Sequence, residues 1–171
     1  MQPQRRHIDD FHVAGLTTRT SNRDERDPQV ARIGPLWDRF FDERIYEKTP
    51  HRLPDMRLFS VYSAYETDAH GAFDVTTGVA VSSGTSAIRI EGGDYLVFTG
   101  KGQMPQLVLA VWRTIWQYFR DHPEVERRYR SDFEAYSGPE EVAVHIGVKG
   151  TDMGTSAIRY GTSWREMLAP G

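Results

Sequence analysis

One unit of this chain is written twice. Ile33, Leu36, Trp37, Phe40 and Phe41 recur, at one constant offset, as Val108, Val111, Trp112, Ile115 and Trp116. Tyr62-Ser63-Ala64-Tyr65 recurs as Phe133-Glu134-Ala135-Tyr136, at a slightly shorter offset that a change of loop length absorbs. The first set has helical spacing and the second reads as a strand, so a helix and a strand are duplicated in the same order. Two copies of one unit meet along a seam, which implies a pseudo-two-fold architecture. The strand copies differ in their centre, where Glu134 of the second answers Ser63 of the first. An acid flanked by aromatic residues on such a seam is a candidate cation-binding site.

The remaining text supports β-α-β-β, twice. Residues 8–18 read as a first strand, and Asp27-Pro28 as a helix start, with Asp as N-cap and Pro in the first turn. A helix over residues 29–44 follows, although Gly34-Pro35 moves its true start nearer to Gly34 or kinks it. Residues 58–66 and 73–81 form a hairpin, and Ser82-Ser83-Gly84-Thr85-Ser86 is a linker. The second half repeats the order with a strand at 95–99, a helix ending near Arg120, and strands at 131–136 and 141–148. His122-Pro123 stops the helix, because the residue before proline leaves helical geometry. These readings give one α+β domain over residues 1–150, with halves at 8–82 and 87–148. It has duplicated β-α-β-β modules, an antiparallel sheet, helices on one face and a ligand cleft at the seam. Residues 151–171 lose all periodicity and read as a C-terminal extension, with a short helical turn at Trp164-Arg165-Glu166-Met167-Leu168.

Composition narrows the function. The chain has no cysteine, so disulfides and thiolate chemistry are excluded. Net charge is −3, and the one basic run, Arg127-Arg128-Tyr129-Arg130, reads as a solvated turn, so no nucleic-acid surface is expected. No run of 18 apolar residues is present and the N-terminus leads into no apolar core of a signal peptide, which points to a cytoplasmic protein off the membrane. The six histidines form no metal-binding spacing, and no cofactor motif is found.

Five stretches, taken together, resemble the effector-binding domain family, also called GyrI-like or AraC-type. They are Val13-Ala14-Gly15-Leu16, the run from Ile33 through Gly34, Pro35, Leu36, Trp37, Asp38 and Arg39 to Phe40, and Tyr62-Ser63-Ala64-Tyr65-Glu66-Thr67-Asp68. The others are Gly92-Gly93-Asp94-Tyr95-Leu96-Val97-Phe98 with Gly100-Lys101-Gly102, and Arg130-Ser131-Asp132-Phe133-Glu134-Ala135-Tyr136. The resemblance implies lipophilic aromatic cations as ligands, captured in the seam, with the family's acidic residue falling on Glu134. No DNA-binding helix-turn-helix precedes residue 8, so a stand-alone binding module is expected, acting by sequestration, as a homodimer or beside a separate regulator.

Alternation along a strand puts Glu134 and Tyr136 on one face. The echo puts Ser63 and Tyr65 with them, leaving Tyr62 and Ala64 with Phe133 and Ala135. The expected ligand-binding set is Glu134, Tyr136, Tyr65, Trp37 and Trp112, with Tyr62, Ser63 and Phe133 around them. A carboxylate and a cation about 4 Å apart attract by roughly 4 kcal/mol at an effective dielectric near 20. Each aromatic face adds on the order of 1–2 kcal/mol over a desolvated cation. The rival readings are a hydrolase that uses Glu134 to activate water, and a protein-interaction module. No catalytic residue is assigned.

Overall fold

The computed structural model describes residues 2–82 and 86–150. The extension at 151–171, its Trp164–Leu168 turn and positions 83–85 of the linker lie outside the described residues. Eight strands run in chain order: β1 Gln4–Ile8, β2 Phe11–Ser21, β3 Leu58–Ser63, β4 Ala72–Val81, β5 Ile88–Ile90, β6 Gly93–Lys101, β7 Ser131–Gly138 and β8 Glu141–Gly147. Four helices are interleaved: α1 Asn22–Glu25, α2 Ile33–Asp42, α3 Ile45–Lys48 and α4 Gln106–Asp121. None of these is long and apolar enough to cross a membrane.

All strands join one antiparallel sheet in the order β1-β6-β8-β7-β3-β4-β2-β5. The order has the expected symmetry. Each module places its last strand in its middle and its second strand at the seam, where β3 pairs with β7 from Leu58↔Tyr136 to Ser63↔Ser131. Two short arms are exchanged between modules. β1 precedes the first module and pairs with β6, whereas β5 opens the second and pairs with β2. The strand expected at 8–18 is β2, and β1 and β5 escape a reading of the sequence, because three-residue and polar strands carry no alternation to detect.

This connectivity forces the sheet to curl. β1 and β2 stand near opposite ends of the strand order, yet Asp9 and Asp10 alone join them. Three residue steps span at most about 11 Å, so the two ends must approach. Gly15 and Gly78, directly opposite each other, permit the tight bend: a Cβ on Gly15 would lie 1.8 Å from the Thr77 carbonyl oxygen, and one on Gly78 2.2 Å from that of Ala14. The inner face fills with Val13, Phe59, Val61, Ile90, Tyr95 and Phe133, against Ile8 and Ile88 from the two arms.

The outer face carries the helices. α2 packs on β2 and β4 through Leu36 and Phe40, and α4 packs on β6 and β8 through Val111 and Ile115. α2 starts at Ile33, with Gly34-Pro35 in its first turn as proline requires. Asp27 instead shapes the preceding turn by accepting from the Gln29 N–H at 3.0 Å. The first amides of α2 are satisfied by Glu25, whose carboxylate accepts from Arg32 N at 2.8 Å and Ile33 N at 3.0 Å. The basic run is not a solvated turn: the side chains of Arg127 and Arg128 are only 8% and 14% exposed, and each is paired with an acid.

Candidate functional site

Because each helix packs on the outer strands of its own module, the two central strands lie under the gap between α2 and α4. Glu134 sits there on β7, only 3% exposed. Its carboxylate accepts three hydrogen bonds: Oε2 from the Tyr62 hydroxyl and the Trp112 indole N–H, both at 2.7 Å, and Oε1 from the Tyr136 hydroxyl at 2.6 Å. Trp37 from α2 meets Tyr136 edge-to-face at 5.6 Å, and Trp112 from α4 meets Tyr62 at 5.4 Å. Each module thus contributes one indole and one tyrosine around the acid.

Two placements differ from the expectation: Tyr62 lies on the Glu134 face, and Ser63 lies on the other. Phe133 lies on the other face, as alternation predicts, and so stands apart from the ligand-binding set in which it was expected. The cause of the two differences is register. The pairs Ser60↔Glu134 and Tyr62↔Asp132 put even-numbered residues of both strands on the helix side. The sequence echo aligned Tyr62 with Phe133, which is out of phase by one residue and inverts every side chain of β3. Phe133 packs in the inner core and stacks on His145 at 4.2 Å. β3 offered no warning, since both of its faces are buried and its apolar residues do not alternate with polar ones.

Tyr65 reaches the site by another route. Ala64 adopts a left-handed conformation (φ 49°), which turns the chain out of β3 and aims Tyr65 at Asp132. Asp132, fully buried, also accepts from Arg127 at 2.9 Å and from the Gly147 amide at 2.7 Å. The Arg127 guanidinium lies 4.4 Å over the Tyr129 ring. Two residues before Glu134, on the same face, the fold has therefore built a carboxylate–cation–aromatic arrangement from its own side chains. Asp132 and Arg127 were not among the expected site residues; a second acid two positions before Glu134 is the signal that marks them.

The electrostatics of the two acids differ. Burial pushes the Glu134 carboxyl above the usual carboxylate range, and the bonds from Tyr136, Trp112 and Tyr62 pull it partly back. Burial and the neighbouring Glu134 charge raise the hydroxyls of Tyr62 and Tyr136, so both remain neutral donors. Among the described residues every bond to Glu134 comes from a neutral group, whereas Asp132 has Arg127.

The cleft is closed in this conformation. A cavity of about 20 Å³, room for a single water, lies between Tyr62, Tyr65, Phe73, Trp112, Trp116 and Arg127. Trp116 stands at its edge and is 38% exposed.

The family of integron-associated effector binding proteins matches residues 6–149. Among solved structures, the Vibrio cholerae integron cassette protein VCH_CASS2 is 30% identical, with TM-score 0.73 over 86% of this chain and 96% of that one. SAV2435, solved bound to tetraphenylphosphonium, shares the fold at TM-score 0.72 and 18% identity, over 88% of this chain and 95% of its own. No curated protein matches the chain significantly.

Proposed function

The chain belongs to the integron-associated effector binding proteins, and on that ground we propose that its seam cleft captures lipophilic aromatic cations, with Glu134 as the charge anchor. The observation that carries this reading is a buried carboxylate that, among the described residues, is held only by neutral donors. A buried charge without a counter-charge is costly, and a cationic ligand relieves that cost. The neighbouring Asp132 supports the comparison, since the same strand face neutralises its other acid with Arg127 stacked over a tyrosine. The tetraphenylphosphonium held by SAV2435, a protein of the same fold, is a ligand of the chemistry this site suits.

Trp112 is the gate in this reading. The closed cavity admits no ring system, so the ligand must displace the Trp112 and Trp116 rings and exchange indole packing for its own. Tyr62 and Tyr136 stay on the carboxylate and hold it ionised. Trp37 lines the opposite wall through Tyr136, and Tyr65 borders the cavity beside Asp132. Binding without turnover fits these contacts, because the two tyrosine donors that stay on the carboxylate fix it as a charge and leave it poorly placed to act as a base on water. Sensing or sequestration would then be the biological use.

Tryptophan fluorescence titration with tetraphenylphosphonium and with neutral aromatic compounds tests the proposal. Micromolar binding of the cation is expected, weakened about ten-fold or more by Glu134→Gln, which removes one charge interaction. Equal loss for cationic and neutral ligands would show that the charge is not the anchor.

A further inference from the structure

Two hydroxyls on the helix side of the sheet have no partner among the described residues. Ser60 and Thr77 are both 0% exposed, and neither Ser60 Oγ nor Thr77 Oγ1 is hydrogen-bonded. The register sets them in a row with the acid: Thr77 stands opposite Ser60 on one side, and Ser60 stands opposite Glu134 on the other. Directly opposed residues share a face, with strands about 4.8 Å apart. Glu134, Ser60 and Thr77 therefore form a polar strip about 10 Å long across the seam and into the first module. Apolar clusters flank it on both sides, Leu36, Tyr62 and Val75 in one, Phe40, Val79 and Leu58 in the other.

The inner face of the same sheet offers a contrast. There Thr17 and Thr76 donate and accept between themselves at 2.7 Å, so that pair of hydroxyls is satisfied within the fold. Folded proteins contain few buried polar groups without a partner, because desolvation is uncompensated. Two of them stand in line with a buried carboxylate on the helix side of the sheet, each with its hydrogen-bonding capacity unused by the described residues.

We propose that Ser60 and Thr77 are the hydrogen-bonding subsite of the Glu134 cleft, which selects aromatic cations bearing amino or hydroxyl substituents over purely hydrocarbon cations. The inference rests on the reading of Glu134 as a cation anchor. A hydroxyl both donates and accepts, so each can serve a ring amine or a ring hydroxyl. The strip sets the geometry. The positive centre sits at Glu134 and the polar substituents point under α2, one strand spacing and two strand spacings away.

The test uses two phenanthridinium cations of the same skeleton, one with two ring amino groups and one without, and reads the ratio of their dissociation constants. The protein is expected to favour the amino-bearing cation by about ten-fold, the order of one or two net hydrogen bonds. In S60A, T77V and the double variant that ratio is expected to fall towards one. If both cations bind and the ratio is the same in the variants, the subsite is wrong and the Glu134 reading stands. If neither cation binds the unaltered protein, both fall together. Thermal melting without ligand adds a second readout. Removing an unsatisfied hydroxyl is expected to hold or raise the Tm, and a fall of several degrees would show that internal water already satisfies these groups, which overturns the proposal.

Discussion

The chemistry of this protein concentrates in one side chain held by three others. Glu134 is kept from water by the fold and kept charged by the Tyr62, Trp112 and Tyr136 donors. Its carboxyl lies above the ordinary carboxylate range because burial outweighs those bonds. A cation needs the ionised form, so affinity is expected to be full above that raised value and to fall as the pH drops through it. The decline should begin at a higher pH than for a solvent-exposed acid. Titrations of tetraphenylphosphonium at a series of pH values check this, and Glu134→Gln should give weak, pH-flat binding. In Tyr62→Phe one donor is lost, and the inflection should move further up. An inflection at or below the ordinary range would mean that Glu134 is not the group that titrates.

At the scale of elements, register decides what the site contains. The pairing of β3 with β7 brings Tyr62 and Ser60 to the acid and turns Ser63 to the inner face, where Phe133 lies. Curvature depends on close backbone approach at Gly15 and Gly78. Gly78→Ala is expected to cost about 3 kcal/mol or more, because the new methyl meets main chain rather than a side chain that can move. Gly34 is the internal control. A Cβ there meets nothing within 4 Å, and Gly34→Ala in the first turn of α2 is expected to be neutral or stabilising by up to about 1 kcal/mol. Chemical denaturation of the two variants distinguishes them. Comparable stabilities would mean that the β2–β4 bend has more slack than its contacts imply.

For the whole molecule, pH acts on stability through opposed groups. His145 is buried against Phe133 and Tyr95, and burial pushes it down to about 4. Between an unfolded value near 6.5 and that folded value, the unfolded chain binds a proton that the folded one refuses. Stability is therefore expected to fall as pH drops through this window, by up to about 3 kcal/mol. Glu134 works in the other direction: with its value raised in the fold, it favours the folded state as it takes up a proton. Denaturation curves from pH 7 to 4 should show His145→Phe losing less stability than the unaltered protein. A parallel decline in both would place the acid sensitivity elsewhere.

Much of this architecture is legible in the residues themselves. Helical spacing in Ile33, Leu36, Trp37 and Phe40, and again in Val108, Val111, Trp112 and Ile115, marks two equivalent amphipathic helices. The strand echo marks a duplicated sheet with a seam, and the acid present in only one copy marks Glu134. These signals are local, since they depend on neighbours within a turn or a strand. Strand phase is not local. A one-residue shift between β3 and β7 leaves each strand's own pattern unchanged but reverses which side chains meet, so the placement of Tyr62 on the Glu134 face and of Ser63 away from it awaited the paired sheet. Nor could the sequence expose the exchange of β1 and β5 between modules, because such short arms gain their stability from the strands they join. Burial itself is a property of the assembled fold. It leaves Glu134 with neutral donors only, gives Asp132 to Arg127 and strands the hydroxyls of Ser60 and Thr77. The sequence determined which groups are available, and the tertiary structure decided which of them are left wanting a partner, because desolvation acts only once the chain has closed around them.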